Sequence, residues 1–164
     1  MIVFDILSKY FWAMCILVGV LNTLALKHRA KHVIGEEMAS TEQFKRILKW
    51  SFISLNLPWV VMGIGCLLDK DLTIWHYFRP RDGNVFVIVW WISIFLLWLL
   101  GFWWLFFRKG AETIAEYNLF AFFSRGLIIR HPLHIKLLYL FVVLVGIVVA
   151  VSMWMSDIPL PDFY

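Results

Sequence analysis

Four stretches of this chain are long and oily enough to cross a lipid bilayer, and none carries a formal charge in its interior. They run from about Tyr10 to Leu26, Trp50 to Leu68, Val85 to Phe107 and Leu137 to Met155. A spanning helix needs about 20 mostly apolar residues. A strand of a membrane barrel is shorter and alternates in polarity, which these stretches do not. In lipid each segment has to satisfy its own backbone N–H and C=O groups, so each is expected to be an α-helix. Composition agrees. The chain is 62% hydrophobic and 16% charged, against about 45–50% and about 25% for a soluble domain. A water-soluble fold of 164 residues leaves too much of its chain exposed to hide that much apolar surface. A soluble enzyme, a disordered tail and a nucleic-acid module are excluded. The expected fold class is an all-α integral membrane protein: a single domain over 1–164, four spans arranged as two hairpins, a kinked second helix and short interfacial helices in the loops.

Lysine and arginine set the expected orientation. Lys27, Arg29, Lys31, Lys45, Arg46 and Lys49 lie in the loop 27–49. Arg108, Lys109, Arg125, Arg130 and Lys136 lie in the loop 108–136. The middle loop 69–84 holds Lys70, Arg79 and Arg81 balanced by Asp69, Asp71 and Asp82, and Lys9 stands near the N-terminus. Eleven cations fall on one side and four on the other. The positive-inside rule then places both basic loops in the cytoplasm and both termini outside, most simply in a bacterial inner membrane. The first span reads as a retained anchor rather than a signal peptide, because its basic residues follow the apolar run. Aromatic residues mark the expected water boundaries: Tyr10, Phe11 and Trp12, then Trp75, Tyr77 and Phe78, then Trp154 and Tyr164.

The loops carry their own patterning. Ser40 with Gln43 resembles a capping box. It predicts a helix starting near Thr41 and running to Leu68, about 42 Å at ~1.5 Å per residue. That exceeds the ~30 Å hydrocarbon core, so two turns should project beyond it. Pro58 predicts a kink near Ser54, with Ser54 and Asn56 bonding the freed carbonyls. Gly110 and Gly126 bracket an amphipathic segment containing Glu112, Ile114, Glu116 and Phe120, expected to lie in the interface or against a neighbour. The middle loop predicts a short helix after Asp71 and a turn over 80–84.

What is missing weighs most on function. Proton relays, ion-coupled transport and voltage sensing use ionisable groups inside the membrane, and intramembrane hydrolysis needs a nucleophile with its base. None is present in the spans, so an enzyme and an active transporter are not expected. His28 with His32, and His131 with His134, stand at span edges. They read as interfacial residues before they read as metal ligands or a pH switch. No metal or cofactor is expected. Cys15 and Cys66 are the only cysteines, at similar depth, and read as free thiols. Asp69, Asp71 and Asp82 alone are a weak sign of lipid chemistry. Basic residues beside spans are accounted for by topology, so no nucleic-acid partner is expected.

Close-packing signals are clearer. Cys15, Gly19 and Thr23 form a small-residue stripe; Gly63 and Gly65 add close-approach points, and Gly146 with Ala150 repeats the pattern. Such residues let helices approach within the chain or between subunits. Asn22, Ser54 and Asn56 are the polar groups of the first two spans. Phe86, Trp90, Trp98, Phe102 and Phe106 recur along the third span as an aromatic face, directed at a large partner surface or at lipid. The expected function is a non-enzymatic, oligomeric membrane subunit that anchors or senses for a cytoplasmic partner through its two basic loops. The competing readings are a passive pore lined by Asn22, Thr23 and Asn56, acting in stress or phage defence, and an immunity protein against a pore-forming toxin.

Overall fold

The computed structural model describes residues 2–33, 35–117 and 131–156. Among these the only regular structure is helix, with no strand, and the chain forms an all-α four-span membrane protein. Helix α1 covers Ile2–Val33, the short α2 covers Glu36–Ala39, and α3 covers Glu42–Leu68. Two 3-10 turns, Ile74–Phe78 and Pro80–Asp82, fill the middle loop. Helix α4 covers Val85–Phe107, α5 covers Gly110–Glu116, and α6 covers Pro132–Met155. Helices α1, α3, α4 and α6 are long and apolar enough to cross a membrane. One end, the basic end, carries loops 27–49 and 108–136, and the opposite end carries loop 69–84.

The first basic loop is mostly helix. α1 runs 32 residues, about 48 Å at ~1.5 Å per residue, so it outreaches a ~30 Å core. Gly35, at φ +84°, adopts the left-handed conformation between α1 and α2. α3 begins one residue later than the capping pattern suggested. Thr41 is the cap, its Oγ1 accepting from the Phe44 amide at 3.2 Å, while Ser40 donates to the Glu37 carbonyl at 2.7 Å. Pro58 lies within α3. The carbonyl it deprives of a donor belongs to Ser54, but Asn56 donates to the Phe52 carbonyl at 2.7 Å and the Ser54 side chain is exposed. Asn56 thus bonds a different carbonyl from the one Pro58 frees. From two residues before the proline, its amide folds back along its own helix onto the i−4 oxygen.

α3 is the hub: α1 packs along it most extensively, α4 packs on its other side, and α4 and α6 touch only sparsely. Glycines set the approach. A Cβ at Gly63 would sit 2.6 Å from the Trp12 ring, and one at Gly19 would collide with the Asn56 amide. A Cβ at Gly146 would sit 2.6 Å from Trp98, which explains a tryptophan near mid-span: α6 is cut away to receive it. Tyr139 donates to the Trp98 carbonyl and lies over Gly101, making another α4–α6 contact.

The opposite end holds the larger core, built from Met62, Cys66, Leu72, Tyr77, Val87, Trp90, Trp91 and Ala150. Tyr77 is 0% exposed, which overturns its expected place as a boundary anchor. Its hydroxyl donates to the Met62 carbonyl at 3.1 Å, Trp91 Nε1 donates to the Tyr77 carbonyl at 3.2 Å, and Gly65 leaves the space it fills. A phenol that finds a carbonyl partner inside is cheaper to bury than to expose beside three apolar helices. Burial pushes the Tyr77 phenol well above its ordinary range, with the Cys66 thiol adding to the effect. Trp12 likewise turns inward onto α3, whereas Tyr10 and Trp154 are exposed at the span ends.

Candidate docking site at the basic end

The basic end is assembled around α5. α4 ends at Phe107, and the chain turns through Lys109 at φ +56°, a left-handed non-glycine residue. Gly110 follows because a Cβ there would meet the Trp104 ring at 2.6 Å. The next residues pack in two directions. Ala111 joins Leu105 and Ile135, which ties α5 to α4 and α6. Tyr117 joins Leu26, Phe44 and Ile47, which ties the end of α5 to α1 and α3. Ile114 packs against both groups. Tyr117 is 3% exposed, its ring centroid lies 5.6 Å from that of Phe44, and its hydroxyl lies 3.1 Å from Thr41 Oγ1. The described part of the second basic loop thus packs against the first.

The cations on it differ in freedom. Lys136 Nζ lies 3.1 Å from Glu112 Oε1. The Glu112 carboxyl is held below its ordinary range, first by a hydrogen bond from its own backbone amide and then by the Lys136 ammonium. Arg108 lies over the Trp103 ring at 4.8 Å. Lys45 bonds Glu42 at 2.6 Å, a pair exposed on both sides and therefore weak. Arg46 and Lys109 are exposed, and Arg29 and Lys31 lie on the last turns of α1. Arg125 and Arg130 lie outside the described residues, as does the segment from Asn118 to Gly126. An open groove of about 290 Å³ runs between α1 and α3, lined by Thr23, Leu24, Lys27, Lys45, Leu48, Lys49 and Phe52.

The other sequence-selected residues take separate places. Gly19, Gly63, Gly65 and Gly146 are covered by side chains of the same chain, Ala150 is buried, and Cys15 is half-buried. Cys15 and Cys66 are free thiols. Asn22 is exposed, Thr23 donates to the Gly19 carbonyl at 2.9 Å, and Asn56 is buried between α1 and α3. Of the aromatic face, Trp90 is buried, Phe86 and Trp98 pack inside the chain, and only the basic-end part is open, with Phe102 exposed and stacked 4.5 Å from Phe106. Asp69 serves the middle loop, accepting from the Asp71 amide and the Asn84 side chain, and Asp82 pairs with Arg79. His131 caps α6 by accepting from the Leu133 amide at 3.3 Å. Among the described residues no three of His, Cys, Asp or Glu are grouped to hold a metal.

Neither the burial of Tyr117 nor the groove is evident from local sequence. Phe44, Ile47 and Leu48 do show the i, i+3, i+4 spacing of a buried stripe just after the Thr41 cap. A stripe on the projecting turns of α3 was the available sign that something packs there. No protein-family model, curated protein or solved structure matches the chain.

Proposed function

We propose that the chain is a non-enzymatic membrane subunit that anchors, or senses for, a cytoplasmic protein docking on the basic end. The observation that carries this reading is the α5 bridge. A topological linker needs no core, whereas Tyr117 and Ile114 hold α5 against the first basic loop, with exposed Arg46 and Lys109 nearby in the chain. Preformed surfaces lose less ordering entropy on binding than flexible ones. The excess of cations at this end supports a cytoplasmic location by the positive-inside rule, with a bacterial inner membrane as the simplest host. Assembly into an oligomer is part of the proposal. α6 buries only Ile135 and Ala150, leaving Leu137, Phe141, Leu144 and Val148 directed outward. Such a helix gains dispersion contacts from a neighbour.

The test is site-specific photo-cross-linking in cells, with the reactive residue placed at Arg46, Lys109 or, as reference, Arg81. One discrete protein cross-linked from both Arg46 and Lys109 but not from Arg81 supports the reading. Identical cross-linking from all three positions, or none from the first two, refutes it. Native mass spectrometry of the detergent-solubilised chain counts the copies, and a strict monomer refutes the oligomer.

A further inference from the structure

We propose that the groove between α1 and α3 at the basic end is a binding site for one anionic phospholipid, with phosphatidylglycerol as its chemical type. The groove has two zones. Lys27, Lys45 and Lys49 supply ammonium groups, while Leu24, Leu48 and Phe52 supply apolar wall. Its level in the bilayer follows from the helices that line it. The apolar run of α1 ends at Leu26, just before Lys27, and exposed Trp50, one residue past Lys49, marks the headgroup zone on α3. Charge above and hydrocarbon below, at that depth, match a phosphate on a glycerol backbone with acyl chains running down the α1–α3 seam. Basic pockets between spanning helices bind lipid headgroups in this way. The volume, about 290 Å³, lies near the lower end of the ~300–1,000 Å³ of small-molecule sites, enough for a headgroup whose chains lie outside. Thr23 does not compete for the phosphate, because its hydroxyl proton is given to the Gly19 carbonyl. The carboxylate that pairs with Lys45 is that of Glu42. That pair is exposed and therefore weak, so the Lys45 ammonium can still serve a phosphate. A zwitterionic lipid brings its own cation and has no use for three lysines.

The inference does not rest on the partner reading, since lipid occupies the seam and leaves Arg46 and Lys109 open. The experiment is native mass spectrometry of the full chain in detergent, with phosphatidylglycerol and phosphatidylcholine added in equal amounts. Wild type is expected to retain phosphatidylglycerol preferentially. The double variant Lys27→Gln/Lys49→Gln is expected to lose affinity about fivefold per lysine. Lys27→Arg/Lys49→Arg should keep the binding, which separates lost charge from lost folding. Lys70→Gln/Arg81→Gln, with the same charge removed from the opposite end, should keep it too. Equal retention of the two lipids, or unchanged phosphatidylglycerol retention in the double Gln variant, overturns the proposal. Displacement of the lipid by millimolar inorganic phosphate also overturns it, by assigning the groove to a free anion.

Discussion

Replacing Tyr117 should loosen two parts of the molecule that are far apart in sequence. The residue is 3% exposed, against Phe44, with its hydroxyl 3.1 Å from Thr41 Oγ1. Both partners precede Trp50, so the contact lies beyond the apolar part of the second span. Truncating a buried aromatic to alanine costs about 3–5 kcal/mol through lost burial and the cavity left behind. At the lower value, about 3 kcal/mol, local opening of the cluster becomes roughly 150-fold more frequent. Tyr117→Phe keeps the ring and removes only the hydroxyl contact, a loss of about 0.5–1.5 kcal/mol, or roughly tenfold at most. Thr41 retains its capping bond to the Phe44 amide in either variant. Hydrogen exchange read by mass spectrometry on detergent-solubilised protein measures both effects. In Tyr117→Ala, amides of α5 and of the first two turns of α3 should exchange faster together, with the middle of α4 unchanged. Faster exchange in α5 alone would show that α5 does not strap the two loops together, and the argument for a single docking surface would fail with it.

Gly63→Leu should drive α1 from α3, because even a Cβ there meets Trp12 at 2.6 Å; overpacking of this kind costs about 1–3 kcal/mol and should lower the thermal midpoint in detergent, whereas an unchanged midpoint would mean that the seam is slack. Tyr77→Phe removes the bond to the Met62 carbonyl and should cost about 0.5–1.5 kcal/mol, read from the same melts. The Glu112–Lys136 contact should be present above the ordinary glutamate value of about 4.3 and fade as pH falls through the depressed value of the folded chain. Carbon NMR of Glu112 should therefore titrate low, and in Lys136→Gln the midpoint should rise only part of the way, since the bond from its own amide remains. A midpoint unmoved by Lys136→Gln would show that the ion pair does not form in solution.

Much of this architecture is written in residue order. Uncharged runs of about 20 residues permit only helices in lipid, and the Ser40 and Gln43 pattern placed the start of α3 within one residue of its Thr41 cap. The same local reading found the turn that ends at Gly83. What escaped it are contacts whose partners are far apart in the chain. Nothing near Tyr77 says that it will slip under Gly65 to reach Met62, and nothing near Tyr117 names Thr41, 76 residues away, as its neighbour.

The division has a physical cause. Transfer from water to lipid depends on each segment's own composition, so span number and cation asymmetry are settled before any helix meets another. Inside the bilayer, however, hydrocarbon is as apolar as leucine, and helices choose neighbours by shape and hydrogen bonding rather than by hydrophobicity. That choice put Trp98 into Gly146 and Asn56 beside Gly19. It also turned most of an aromatic stripe inward, and folded a stretch of loop into the strap that ties α4 and α6 to α1 and α3.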